Sequence, residues 1–401
     1  MTPSGVGTER SDPLSFVPKW VPMEHSTNAL RAEVRDFLER QRTDHRFTPR
    51  CDSWLSGWDE DFSQELGRRG WLGMSIPSEY GGQGRSALDR YVVTEELLAA
   101  GAPIAAHWFA DRQTAPTLLR YGTEYQKLKY LPGIAQGQTQ FAIGLSEPDS
   151  GSDLASIRTK SSRFSGGWKL TGSKVWTSGA HRSHFLMVLA RAEGADTADR
   201  HSGLMQLIVD VTSPGISIRP ILLMNGEHHF NEVVFDDVIV PNEEVLGGIG
   251  DGWRQVTAEL AYERSGPERW LSTFPLLRAV LPVVIEGCAG RDQRRAEEAV
   301  GALVGRIWTL RQMSLAVAGA LSRGELPDVA AALIKDVGTR FESELIDAVR
   351  LATSQAPDPQ SPPDSLPRLL ADAILQSPGF TLRGGTNEIL RNVIAKQLEL
   401  K

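Results

Sequence analysis

Two short stretches hold the residues best suited to chemistry: 144–153, GLSEPDSGSD, and 174–179, KVWTSG. The first follows an approach strand, FAIGL, and breaks at Ser146 into a run of Ser, Gly, Asp and Pro. Gly151 and Ser152 can offer backbone N–H groups and a hydroxyl, which is a way to cradle a pyrophosphate without a lysine. In the second, the alternation LTGSKVWTS reads as strand, so Trp176 and Ser178 are expected on one face. An indole wall beside a hydroxyl donor suits a flavin ring, with the hydroxyl near the nitrogen that receives hydride. Taken singly, the loop reads as a surface turn and the indole as a core aromatic. The ordered pair carries the inference.

The elements around these stretches change character twice. From Thr27 the period is helical, with Leu30, Val34, Phe37 and Leu38 on one face. Helical segments follow near 62–70, 88–100 and 105–121, closing near Gly137. Residues 140–245 turn to short alternating or β-branched runs such as HFLMVLA, LMQLIVDV, ISIRPI and EVVFDDVIV. The helical period returns from Gly252, with a long amphipathic run over 293–321 suited to a four-helix bundle. The Pro-dense segment 355–367 predicts an exposed irregular loop.

Forty-three basic against 50 acidic residues leave a net charge of −7, which argues against nucleic acid or an anionic membrane as main partner. The polar first residues lack an apolar signal core and no stretch approaches a membrane span, so a cytoplasmic protein is expected. Cys51 and Cys288 lie far apart, outside any CxxC pattern, and read as reduced, packed thiols. His228 and His229 invite a metal, but no carboxylate or Cys stands at ligand spacing on a helix with them, so none is expected. Gly82–Ala87 matches GxGxxA after the strand-like WLGMSIP, the pattern of a nicotinamide-binding unit. The next segment, HWFADRQTAPTLLRY, is helical where a parallel strand is required, so a plain turn is expected.

The order of GWLGMSIPSEYGGQG, TEELLAAG, the acidic loop, FNEVVFDDVIVP, Gly252–Trp253 and RGGTNEILRN resembles the acyl-CoA dehydrogenase family over residues 28–401. The resemblance implies an α+β fold: a flexible arm at 1–26, an N-terminal helical domain at 27–139, a small β domain at 140–247 and a C-terminal four-helix bundle at 248–401. It implies FAD, an acyl-CoA or carrier-bound acyl thioester as substrate, electron-transfer flavoprotein or a similar acceptor, and a homo- or hetero-oligomer, dimer or tetramer. Flavin contacts carried over by position are Ile143, Leu145, Ser146, Gly151, Ser152, Trp176, Ser178, Thr386 and Glu388.

Family members remove an α proton with a carboxylate while the β hydrogen leaves as hydride. Many relatives place that carboxylate immediately before the Gly-Thr of the last motif, where this chain has Gly384. A second branch carries it on the first helix of the C-terminal domain, and LAYERSGPERW matches that pattern with Glu263. Without the resemblance, Glu263 would read as a solvated helical glutamate paired with a nearby Arg. Pro267 cannot donate to the Glu263 carbonyl, so the helix is expected to distort there. Gly384 would act through its backbone N–H on the thioester carbonyl.

Two family elements are missing: the Arg-x-x-Phe-Gly that grips a neighbouring subunit's FAD, and a Gly-Gly-x-Gly ahead of the last motif. Both absences resemble an actinobacterial-type branch acting on branched, ring-bearing or steroid side-chain thioesters, sometimes as heterotetramers. Arg291, Arg294 or Arg295 could replace the lost arginine. Two other readings stay open: a flavin oxidase or oxygenase on the same fold, and a partner subunit completing another chain's site.

Overall fold

The computed structural model describes residues 22, 24–195, 199–287, 293–325, 327–353 and 355–397, without the side chains of 260–263 and 397. Most of the arm expected at 1–26, and Cys288, lie outside these residues.

Helices α1 (His25–Thr43), α2 (Ser53–Ser56), α3 (Glu60–Arg68), α4 (Ala87–Ala99), α5 (Ala105–Phe109), α6 (Ala115–Tyr121) and α7 (Glu124–Ala135) form the first layer. The face expected on α1 is the buried one, with Leu30, Val34, Phe37 and Leu38 all inside. Side chains set several starts: Asp59 accepts from Phe62 N, Ser86 from Asp89 N, and Thr123 with Gln126 closes a capping box. The helix expected over 105–121 is widened by a π turn at Ala110–Thr114, just before Pro116, which has no N–H to give the preceding turn. The strand expected in WLGMSIP is absent: Gly70 and Gly73 have positive φ, and 71–77 runs as turns into the 3₁₀ turn Ser78–Tyr80. That removes the first strand a nicotinamide-binding unit needs.

Eight strands form one sheet: β1 (Phe141–Gly144), β2 (Lys160–Phe164), β3 (Gly167–Lys174), β4 (Phe185–Ala192), β5 (Leu204–Asp210), β6 (Ile216–Leu222), β7 (His228–Pro241) and β8 (Val245–Leu246). Their order is β6-β7-β3-β2-β4-β5-β8, with β1 also on β4. Strand β4 carries β1 along its first half and β2 at its end, both parallel, so the approach strand FAIG lies edge-on to the sheet centre. The chain then returns to helices α8 (Gly252–Arg264), α9 (Phe274–Glu286), α10 (Gln293–Ser322), α11 (Asp328–Ala352), α12 (Leu366–Gln376) and α13 (Asn387–Gln397).

The two helical segments, distant in sequence, share one core. Leu97, Leu98 and Trp108 pack in the same cluster as Trp270, Leu310, Phe341 and Leu345. The sheet has its own apolar layer, and Tyr130, Phe141, Phe185, Met187 and Ile208 join it to α7. Gln126 strengthens that seam by donating to the carbonyls of Glu243 and Val245. Among the described residues no helix is long and apolar enough to cross a membrane.

Candidate active site

The acidic loop leaves β1 at Gly144 and is held at its base by one buried ion pair. Lys174, fully buried at the end of β3, donates its Nζ to Glu147 Oε1 at 2.8 Å and to the Leu145 carbonyl at 2.9 Å. Glu147 Oε1 also accepts from Thr159 N at 2.9 Å, and the other oxygen, Oε2, accepts from Arg158 N at 2.6 Å. Burial works against ionisation of Glu147, but the facing ammonium and the N–H donors outweigh it and hold the carboxyl below its usual range. Burial also draws the Lys174 ammonium down to about 8, against the pull of Glu147. The tip stays open: Gly151 and Ser152 are exposed, and a Cβ at Gly151 would meet nothing within 4 Å. Ile143 faces partly outward on β1, and Leu145 and Ser146 continue it, half-buried.

Strand β3 ends at Lys174, so Trp176 and Ser178 do not share a strand face as the alternation implied. Trp176 has φ 59°, a left-handed conformation that costs a non-glycine residue roughly 1–2 kcal/mol and breaks the two-residue alternation. Its indole is 57% exposed and meets Phe230 edge-on at 5.9 Å. Ser178 is half-buried. Between them Thr177 is buried, and its hydroxyl has no hydrogen-bond partner among the described residues. Neighbouring backbone bonds replace the strand ladder: Val175 N donates to Ser146 O, Thr177 N to Asn231 O, and Gly179 N to His229 O.

The last motif meets the end of α8. Arg264, the final residue of that helix, donates Nε to the Gly384 carbonyl at 3.3 Å. Pro267 opens a separate 3₁₀ turn, so the helix stops where distortion was expected. Glu263 lies one residue earlier, with its side chain outside the described residues. Gly384 and Gly385 are both left-handed, at φ 70° and 86°. Arg383 pins this turn to the N-terminal layer through two bonds to Asp52, at 2.6 and 2.7 Å, and lies over the Trp54 ring at 4.3 Å. The buried Lys335 ammonium reaches Asn387 Oδ1 at 2.7 Å and the Thr381 carbonyl at 3.0 Å. Thr386 accepts from Ile389 N at the start of α13, and Glu388 stands exposed in its first turn.

Arg291 is outside the described residues, while Arg294 pairs with Glu298 along α10. His228 stacks on His181 at 3.7 Å, and His229 bonds Glu227 at 2.8 Å. Among the described residues no group of three His, Cys, Asp or Glu side chains is arranged around a metal.

Residues 24–138 match the N-terminal domain of acyl-CoA dehydrogenases and 142–238 their middle domain. The chain is 34% identical to the acyl-CoA dehydrogenase FadE29 of Mycobacterium tuberculosis, over 83% of this chain and 86% of that protein. It belongs to the acyl-CoA dehydrogenase family. Against FadE34 of the same organism identity is 33% over 83% of this chain, which spans only 45% of that longer protein. Among solved structures, the Tcur3481-Tcur3483 steroid ACAD is 29% identical over 94% of this chain and 97% of its own, with TM-score 0.80. The ChsE4-ChsE5 complex from Mycobacterium tuberculosis has the same identity and coverages, with TM-score 0.79. The α+β architecture is therefore that of the acyl-CoA dehydrogenases, and the chain is an oxidoreductase acting on acyl thioesters.

Acyl-CoA dehydrogenases are FAD-dependent, and the residues here fit that cofactor. An open glycine tip, an exposed indole held in a left-handed turn and an unpartnered buried hydroxyl at Thr177 are features a flat, phosphate-bearing ligand would satisfy. The Glu147–Lys174 pair and Asn231 behind Thr177 were missed in the sequence. Glu147 and Lys174 stand inside the two motifs, and a lysine within a strand-like run is the available signal.

Proposed function

We propose that this chain performs FAD-dependent α,β-dehydrogenation of an acyl thioester, with Glu263 as the base that takes the α proton. FAD, when bound, accepts the β hydrogen as hydride. Gly384 donates its backbone N–H to the thioester oxygen as that oxygen gains charge, an interaction worth roughly 3 to 4 kcal/mol in comparable sites. The product is the trans-2-enoyl thioester. Ser146, Gly151 and Ser152 would hold the pyrophosphate side, with Ile143 and Leu145 beneath it. Trp176, Ser178, Thr386 and Glu388 would bound the rest of the cofactor.

The contact between Arg264 and Gly384 carries this reading, because the helix end bearing Glu263 and the turn bearing Gly384 lie against each other. A base on either element would serve the same α carbon. The absence of a side chain at 384 leaves room for branched or ring-bearing acyl groups, in keeping with similarity to a structure described as a steroid ACAD. Similarity to a two-chain complex supports a hetero-oligomer, and electron-transfer flavoprotein or a related acceptor would reoxidise the flavin.

The test is the visible spectrum of the purified protein, followed by anaerobic addition of a panel of straight-chain, branched and cyclic acyl thioesters. A yellow protein bleached by the branched or cyclic members is expected. A flavin-loaded protein that no acyl thioester bleaches would overturn the proposal.

A further inference from the structure

One fully buried amide stands directly behind the turn proposed to face the flavin. Asn231 lies on β7. Its backbone carbonyl accepts Thr177 N–H at 3.1 Å, and its side-chain Nδ2 donates back to the Thr177 carbonyl at 2.9 Å. Thr177 is thus gripped through both of its backbone polar groups by a single residue. Trp176 and Ser178 sit on either side of it in the chain.

The amide is itself held by two histidines. Nδ2 lies 3.2 Å from His181 Nδ1, and Oδ1 lies 2.7 Å from His228 Nε2. With both Nδ2 hydrogens donated, His181 Nδ1 must accept; Oδ1 can only accept, so His228 must carry its proton on Nε2. The two rings stack at 3.7 Å with 15° between planes, which fixes each against the other. A reversed amide would face the Thr177 carbonyl with an oxygen, so that carbonyl selects the orientation and the two histidines take the tautomers that match it. The far end of the turn is fastened as well: Gly179 N donates to His229 O at 2.8 Å, and a Cβ at Gly179 would lie 2.7 Å from the Trp58 ring.

Such fastening answers a specific need. Trp176 occupies a left-handed conformation with its indole mostly in solvent, so its own burial contributes little toward keeping it there. Something else must hold the turn before a ligand arrives. We propose that Asn231, held by His181 and His228, is a positioning residue that presets the Trp176–Ser178 turn for the flavin. The inference rests on the reading that this turn faces FAD. It adds that the face is built in advance by the β7 amide rather than formed on binding.

The experiment separates the two claims. Amide hydrogen exchange is measured on the full chain stripped of FAD, comparing wild type with Asn231→Leu, which keeps volume without the amide, and with His228→Phe, which keeps the stack without the donor. The peptide spanning 174–180 should exchange at least about tenfold faster in Asn231→Leu, and several-fold faster in His228→Phe, with the α10 and α11 core peptides unchanged. FAD is then titrated back. Its dissociation constant should rise about tenfold in Asn231→Leu, and the visible circular dichroism of the bound flavin should change, which general destabilisation alone would not produce. If Asn231→Leu does not fold, His228→Phe with the same two readouts decides. Unchanged exchange would remove the clamp. Faster exchange with unchanged flavin affinity and dichroism would overturn the presetting role. Trp176→Ala is the control for the underlying reading: if it alone weakens FAD, the flavin face stands and the Asn231 proposal falls, and if neither variant moves FAD, both fall.

Discussion

Lys174 Nζ lies 2.8 Å from Glu147 Oε1, with the lysine side chain wholly shielded from solvent. This pair joins the two stretches that read as chemistry in the sequence, so loop and turn are fixed relative to each other before any ligand binds. Removing one partner of a buried pair leaves an uncompensated charge and costs about 3 to 5 kcal/mol, whereas removing both charges can be nearly neutral. Lys174→Met should therefore lower the denaturant midpoint strongly. Adding Glu147→Gln, which removes the second charge and keeps one acceptor oxygen for either Arg158 N or Thr159 N but not both, should recover part of the loss. A double variant less stable than the single one would count against this account.

A different buried group should contribute to acid stability. His107, on α5, is 4% exposed, and its Nδ1 lies 2.9 Å from Ser63 Oγ. Burial pulls its pKa from 6.5 down to about 4, with Asp111 opposing weakly. Between these values the unfolded chain takes up a proton that the folded chain refuses, so stability falls as pH drops through this window and levels off below it. The loss is on the order of 3 kcal/mol. His107→Asn retains an acceptor but cannot titrate. Thermal melts from pH 7 to pH 4 should show the wild type losing more than the variant, and parallel curves would rule out His107 as the titrating group.

Much of this architecture was legible because it rests on local periodicity. Leu30, Val34, Phe37 and Leu38 mark a buried helix face, and the runs at β4 to β7 mark the sheet, because pattern and burial are the same physical fact seen twice. The structure departs from the alternation at Trp176 because one left-handed residue cancels the two-residue period without changing the apolar pattern. WLGMSIP misled for a related reason: its apolar residues are buried from successive turns rather than from a strand. The pairing of Asp52 with Arg383 joins residues 331 positions apart, beyond the reach of any local pattern. No local pattern links the end of α8 to the turn at Gly384, and the Arg264–Gly384 contact is what sets those two elements side by side.

That contact bears on what position 384 can accept. With φ near 70°, any side chain there pays a left-handed penalty of roughly 1–2 kcal/mol. Gly384→Ala should therefore destabilise the protein by about that amount. On the proposed reading, in which position 384 borders the acyl group, it should also lower kcat/KM more for branched or ring-bearing thioesters than for straight-chain ones. An equal loss across the panel would show that the open position has no part in substrate shape.

The base assignment is tested most directly by Glu263→Gln, which keeps size and hydrogen bonding but cannot take a proton. Turnover should fall by about 10² to 10⁴, the usual worth of a general base, while bound FAD and the melting temperature stay close to wild type. Placing a carboxylate on the neighbouring turn with Gly384→Glu, in the Glu263→Gln background, asks whether both elements address one carbon. The left-handed backbone at 384 predicts that any rescue will be small, because the new side chain must either strain or shift the turn that Arg264 and Arg383 hold. Rescue exceeding about tenfold would mean that this turn yields more readily than its contacts imply. Near-normal turnover by Glu263→Gln alone would place the base on another residue.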